Sequence, residues 1–504
     1  MFAASSQPAL PQYLKALSQA GVDTPTYNRA EVVPGILHLG AGNFHRAHQC
    51  VYLHKLLQQG EGKSFGIIGA GLLDFDRPVS EALQSQECLF TVTETDSAAT
   101  KSSVVGSMVR YIPGFDRPQD VVEAIADPRI KIVTLTVTES GYFSESKTGR
   151  LMTEHVAVAH DLANLGRERP RTVFGYLAEG LRMRFAKGGP GVTLLSCDNL
   201  PGNGDVLRAT LTEFIAKALP RLLPEIEQKV SFPNCMVDRI TPRSTAAQGD
   251  FIRARYGVTD AAAVACEPYL QWVIEDDFVA GRPALEKVGV QFTEDVKPYE
   301  LMKLRLLNAG HSAMGYVGYL LGYREMHEVA LDPECASFTR AFMDLEATPT
   351  LQPLPDVDFS AYKDSLQQRF CNSALRDQVL RICSDGSGKI RGYILPIVRD
   401  CIRLERSFDH GALVVASWLR FLEGRDEQGE PIPIEDPLAA ELREKVASSQ
   451  GTGAAVLEMR EVFEDLCGNQ LFRATVLKML DVLRAAGVRG ALRTLADETR
   501  IGAI

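Results

Sequence analysis

At 504 residues the chain exceeds what one hydrophobic core normally supports, so two domains are expected. Its 45% apolar and 23% charged content is that of a globular enzyme, and a net charge of −10 without a basic run argues against nucleic acid or anionic membrane as a partner. No apolar run approaches a membrane span, the opening MFAASSQPALPQYL lacks the regions of a signal peptide, and the ten scattered cysteines form no Cys-x2-Cys pair, so a cytoplasmic protein with reduced thiols is expected.

In chain order, a helix at 11–20 precedes GILHLGAGNFHRAHQC, read as a strand at 35–39, a turn at Gly40-Ala41-Gly42 and a helix at 45–58. This is a dinucleotide-binding opening, in which glycines let backbone N–H groups approach a pyrophosphate. His45 holds the place of the usual third glycine, and a plain turn stays open as the alternative. His45, His48 and His54 lie close together without partners at ligand spacing, so no metal site is expected. A second strand at 65–70 leads to Asp74, Phe75, Asp76 and Arg77. An acid there suits ribose hydroxyls, although a solvated loop acid reads the same way.

Further strands at 88–95, 130–140 and 191–199 alternate with helices at 118–126, 153–165 and 172–187, which implies a mainly parallel sheet covered on both faces. Glu139 and the group Ser196-Cys197-Asp198-Asn199 fall at strand ends, where the ligand crevice of such a sheet opens. An Asn before Pro-Gly is also an ordinary turn residue. After a helix at 205–219, a strand at 234–240 carries Asp238 and Arg239, and 266–296 mixes short strands with turns. From 298 the pattern is helical almost to the end, broken at 348–357 and 423–437. The expected fold is α/β: a Rossmann-type domain over 1–290 and a mostly α-helical domain over 291–504.

The stretch PYELMKLRLLNAGHSAMGYVGYLLGY, 298–323, reads as one long helix buried on most sides. At 100° per residue its polar side chains Glu300, Lys303, Asn308 and His311 fall within an arc of roughly 140°. They are costly there unless they meet a ligand or one another, or are satisfied within the core.

Four motifs together carry a resemblance: Gly40-Ala41-Gly42-Asn43-Phe44-His45-Arg46-Ala47-His48, Ser196-Cys197-Asp198-Asn199, Met236-Val237-Asp238-Arg239-Ile240-Thr241-Pro242, and Lys303-x4-Asn308-x2-His311. Over nearly its full length the chain resembles the polyol-specific long-chain dehydrogenases, the mannitol 2-dehydrogenase family, which also holds arabinitol dehydrogenases and hexuronate reductases. The resemblance implies Lys303 as general base, Asn199 and Asn308 as donors to the alkoxide oxygen, His311 as a substrate ligand and Glu300 in proton movement. It further implies Asp238, Arg381 and Lys389 at the sugar, and Gly40, Gly42, Phe44, Arg46, Asp76 and Glu139 at the cofactor. No metal is required, and a monomer is expected. Phe75 stands where NAD-preferring relatives carry the first of two acids, which leaves NADP open beside NAD because Arg77 could face a 2′-phosphate.

The chemistry of the residues agrees. Hydride leaves a secondary alcohol as its hydroxyl proton departs, so a base must touch that oxygen, and a lysine serves if desolvation favours its uncharged form. Two amide donors suit a developing alkoxide. Tyr142 and Lys147 stand one residue too far apart for the Tyr-x3-Lys pair of a short-chain dehydrogenase, and zinc ligands of an alcohol dehydrogenase are absent, so both classes are weaker readings. A nucleotide sensor without activity would keep the glycines but has no use for Lys303. The expected reaction interconverts D-mannitol and D-fructose, with D-arabinitol oxidation or hexuronate reduction as the alternatives.

Overall fold

The computed structural model describes residues 10–501 except 146–147, 244, 356 and 450–452. Residues 1–9, read above for a signal, and Lys147 lie outside the described residues. The chain divides into two compact units, Met1–Lys297 and Pro298–Ile504.

The first unit is built on a six-stranded sheet whose strands are β1 (Pro34–Leu39), β2 (Gly66–Gly71), β5 (Met108–Pro113), β6 (Ile132–Leu135), β7 (Val192–Ser196) and β8 (Val230–Ser231), in the order β5-β2-β1-β6-β7-β8. Every pairing in it is parallel. Helices cover both faces, which is why the strands are apolar in consecutive positions. Leu37, Leu39, Ile68 and Ala70 pack into one cluster with Val121 and Leu177, while Ile36 and Ile67 pack into another with Leu53 and Leu56. Each such leucine or isoleucine contributes about 1.5–3 kcal/mol by leaving water.

The strand expected at 88–95 belongs elsewhere. It is β3 (Phe90–Thr95), paired antiparallel with β4 (Thr100–Val105) and parallel with β10 (Val264–Cys266) in a separate sheet. Neither β4 nor β5 was read from the sequence: β4, TKSSVV, is polar and exposed at its start, and β5 carries Arg110 and ends in a proline. A third sheet, β12 (Gln291–Thr293), β11 (Gln271–Glu275) and β9 (Cys235–Asp238), orders part of the mixed stretch 266–296. The helix expected at 45–58 is two, Asn43–Ala47 and Gln49–Gln58, broken at His48 with φ −117° and ψ −85°.

The second unit is helical. Its 298–323 stretch is not one regular α-helix but three segments: α-helix Lys297–Met302, π-helix Lys303–Asn308 and α-helix Ala309–Leu320. The Ala309 N–H donates to the Leu304 carbonyl five residues back. Met343–Ala347 and Ile390–Ile394 are also π-helical, and both pack against Lys303–Asn308. Such segments make up well under about 1% of residues in globular proteins and concentrate at functional sites. Arg305 anchors the first of them, pairing with Asp400 at 2.7 Å and donating to the Thr350 carbonyl at 2.9 Å. The following helix is buried along its whole length, and Gly318 admits the helix Met326–Leu331 so closely that a Cβ would lie 2.4 Å from Val329. Among the described residues, no helix is long and apolar enough to cross a membrane.

Candidate active site

The glycine turn joins β1 to the helix Asn43–Ala47. Gly40 has φ +87°, and a Cβ there would lie 2.3 Å from the Thr136 carbonyl, so this glycine is required by the protein itself. Gly42 differs: it is exposed, has an ordinary φ, and meets only open space beyond its own turn. No internal contact demands a glycine at 42, which fits a backbone that a ligand must approach.

Beneath the turn, the buried rings of His38 and His45 stack with centroids 3.3 Å apart. His38 Nε2 lies 3.3 Å from the Gly40 carbonyl and 2.8 Å from Thr136 Oγ1, and its Nδ1 lies 2.7 Å from Thr134 Oγ1. The carbonyl can only accept, so Nε2 carries the proton. Burial pushes the His38 pKa down to about 3 and holds His45 well below its ordinary value, with His38 adding to the latter effect. Three histidines weighed as metal ligands are engaged otherwise: His45 with Gln49 Oε1, His48 with the Gln271 carbonyl and His54 with the Tyr27 hydroxyl. Among the described residues, no group of three or more His, Cys, Asp or Glu is placed to hold a metal ion.

Phe44, half-buried, stacks on His48 at 4.9 Å. Arg46, expected at the cofactor, turns its guanidinium inward. It is 2% exposed and donates to the Ala262 carbonyl, to Asn43 Oδ1 at 2.7 Å and to the Gly42 carbonyl at 3.3 Å. A guanidinium turned inward in this way braces the turn.

At the end of β2, Asp76 Oδ2 accepts the Leu73 N–H at 3.1 Å, and burial raises its carboxyl above the ordinary value. Phe75 beside it is 77% exposed. Arg77 does not stand free for a 2′-phosphate, because Asp116 closes its fork with bonds of 2.7 and 2.9 Å.

The ends of β6 and β7 are tied by Asp198. Its carboxylate accepts the Val137 N–H at 3.0 Å, the Thr138 N–H at 2.8 Å and the Tyr142 hydroxyl at 2.6 Å. Glu139 follows Thr138 and is exposed. Asn199, next after Asp198, is also exposed. The buried Asn203 fixes that loop, donating to the Asp198 carbonyl at 3.1 Å and the Cys235 carbonyl at 2.8 Å while accepting the Cys235 N–H at 3.0 Å. Asp198, Tyr142 and Asn203 had no assigned role in the sequence reading. Their signal was faint: Asp198 and Asn203 bracket the Asn-Leu-Pro-Gly turn.

Asp238 is buried at the end of β9. Its neighbour Arg239 donates to the Glu267 carbonyl at 2.9 Å and the Ala47 carbonyl at 2.5 Å, and pairs with Glu94. The Val-Asp-Arg stretch therefore holds the helix of the glycine turn in place.

In the second unit, Lys303 is the first residue of the π-helix and Asn308 the last. Hydrogen bonding from i to i+5 takes more residues into each turn, so positions five apart come nearer to one face than in an α-helix. Glu300 and His311 lie in the flanking α-helices and are buried, as is Lys303, and the His311 ring lies 4.4 Å from that of Phe370. Arg381 is exposed, its fork closed by Asp377 at 2.7 and 2.6 Å. Lys389 caps the short helix Val379–Cys383, donating to the Arg381 and Ile382 carbonyls at 3.1 and 2.9 Å. Burial, then the Arg381 charge, hold the Lys389 pKa below its ordinary value.

An open glycine, a positive-φ turn and a carboxylate at the next strand end fit a dinucleotide. Residues 34–287 match the family model described as the mannitol dehydrogenase Rossmann domain, and residues 295–484 match that of the mannitol dehydrogenase C-terminal domain. The chain is 41% identical to a solved Pseudomonas fluorescens mannitol 2-dehydrogenase in ternary complex with NAD and D-mannitol, with a TM-score of 0.86 over 97% of this chain and 99% of that one. A D-sorbitol dehydrogenase solved in substrate-free form is 36% identical, with a TM-score of 0.87 over 94% of this chain and 98% of that one. Among curated relatives, mannitol dehydrogenase 2 of Saccharomyces cerevisiae is 40% identical over 94% of this chain and 95% of its own length. The mannitol 2-dehydrogenase of Phaeosphaeria nodorum is 40% identical over 96% of this chain and 85% of its own.

Proposed function

The chain belongs to the mannitol dehydrogenase family, and from that membership we propose that this polyol oxidoreductase interconverts D-mannitol and D-fructose with NAD as its cofactor. When bound, the nicotinamide supplies the hydride acceptor. Lys303 takes the proton from the hydroxyl of the carbon being oxidised, and Asn199 and Asn308 donate hydrogen bonds to the oxygen as negative charge develops on it. Glu300 passes the proton onward, and His311, Asp238, Arg381 and Lys389 hold the remaining hydroxyls. No metal takes part, since the amide donors and the lysine cover the charge and the proton. Arg46 supports the cofactor through the turn it braces.

The observation that carries this reading is the π-helical turn, which places a buried lysine and an amide at its two ends within a chain so similar to mannitol dehydrogenases. The test is direct: incubation with D-mannitol and NAD should yield D-fructose, and a chelator should leave the rate unchanged. Gly42→Val, whose Cβ meets no internal clash, should abolish NAD binding with the fold intact. A protein that turns over no polyol with either nicotinamide cofactor would refute the reading.

A further inference from the structure

At the end of β2 the structure holds an ion pair that the glycine turn does not require. Arg77 opens the helix Arg77–Ser85 and lays its guanidinium over the Phe115 ring, 4.6 Å from the centroid. Asp116 closes the fork from one side through two parallel bonds, NH1 to Oδ2 at 2.7 Å and NH2 to Oδ1 at 2.9 Å. Asp74 adds a third contact at 3.6 Å. The arrangement follows from topology: β2 and β5 are neighbours in the sheet, so the loops that follow them bring Asp76, Arg77 and Asp116 to one edge.

We propose that Asp116 is a specificity-determining residue for the nucleotide: by closing the Arg77 fork it withholds the guanidinium from a ribose 2′-phosphate and selects the unphosphorylated dinucleotide. The inference rests on the cofactor reading above and deepens it. An arginine recognises phosphate through the same bidentate geometry that Asp116 already occupies, so a 2′-phosphate can take that end-on fork only by displacing a carboxylate. It would also have to compete with Asp74, which lies 3.6 Å from the same arginine. Arg169, nearby, is turned to the Leu72 carbonyl at 3.1 Å. Selection against the phosphate therefore does not require the acid that Phe75 replaces.

The test is binding, measured by calorimetry with NAD and NADP on the unaltered protein, on Asp116→Ala and on Asp116→Ala/Arg77→Ala. Asp116 is exposed, so its loss leaves the core untouched. The unaltered protein should bind NAD more tightly than NADP. Asp116→Ala should bind NADP up to roughly fivefold more tightly than the unaltered protein does, the upper range for one exposed ion pair. Its NAD affinity should stay within about twofold, well inside that range, and the added Arg77→Ala should erase the gain. Unchanged NADP affinity in Asp116→Ala, a gain that survives loss of Arg77, or equal affinity of the unaltered protein for both dinucleotides would each overturn the proposal. If the unaltered protein binds neither, the cofactor reading falls and takes this one with it.

Discussion

Asp198 holds Thr138 at φ +65° and ψ 164°, a region of backbone space that residues other than glycine scarcely enter. The strain lies at the strand end between β6 and the exposed Glu139, and the same carboxylate immediately precedes Asn199. Strain of this kind costs about 1–3 kcal/mol, and hydrogen bonds to a charged group contribute about 1.5–3 kcal/mol each, so the clamp can sustain it. Thr138→Gly should therefore preserve or raise stability, while Asp198→Ala should lower it by about 3 kcal/mol or more. The two changes should couple in a double-mutant cycle by denaturant unfolding, because the strained conformer persists only while the clamp does. Strictly additive effects would show that Asp198 does not hold the strain.

Lys303 and Asn308 bound one π-helical turn, and their truncations should separate chemistry from fold. Lys303→Ala should cost at least about 10²-fold in kcat and be partly restored by added primary amine, as for a lost general base. Asn308→Ala and Asn199→Ala should each cost about 10²–10³-fold, the range for one oxyanion donor. Circular dichroism and NAD affinity should be unaltered in all three. Near wild-type turnover of Lys303→Ala would sink the assignment.

The division into a parallel α/β sheet and a helical half was legible because both rest on apolar periodicity, which composition carries directly. The π-turn was not. An i to i+5 insertion leaves the apolar pattern of MKLRLLNAGHSAMG nearly unchanged, and its cause is tertiary: Arg305 bonds Asp400, which is remote in sequence, and the turn packs on two other π-helical segments. Arg46 and Arg77 illustrate the same limit. Each stood at the right place in the motif, but the partners that decide their roles, the Ala262 carbonyl and Asp116, come from other parts of the chain. His45 is the opposite case, since its occupation of the third glycine's place was visible in the sequence and the stack with His38 explains it.

That stack predicts acid sensitivity. His38 titrates at about 3 in the folded protein, against roughly 6.5 for a free histidine. Between those values the unfolded chain takes up a proton that the folded one refuses, so stability falls as pH falls through that window. The slope is about 1.4 kcal/mol per pH unit for each such histidine, and His45, depressed for the same reason, acts in the same direction. Unfolding free energies measured from pH 7 down to 4 should show this decline, flattened in His38→Gln whatever that variant's stability at pH 7. An identical slope in His38→Gln would remove the residue from the effect.

The substrate choice turns on the cations expected at the sugar. A hexuronate requires a clamp for its carboxylate, ordinarily an arginine fork. The Arg381 fork is occupied by Asp377 through two bonds of 2.7 and 2.6 Å, and Lys389 donates to two backbone carbonyls while its pKa is held below the ordinary value. The Arg381 fork would have to give up Asp377 to clamp a carboxylate and Lys389 has one donor left, whereas a neutral polyol asks for hydroxyl contacts alone. D-Mannitol and D-fructose should therefore be the preferred pair, with D-arabinitol next because it retains much of the same hydroxyl pattern. D-Fructuronate and D-tagaturonate should be reduced with kcat/KM at least about tenfold below that for D-fructose, a gap of about 1.4 kcal/mol in transition-state binding. Asp377→Ala, which frees the Arg381 fork, should narrow that gap by improving the hexuronates without improving D-fructose. A specificity constant for either hexuronate more than about tenfold above that for D-fructose would place the chain in the hexuronate-reducing branch instead.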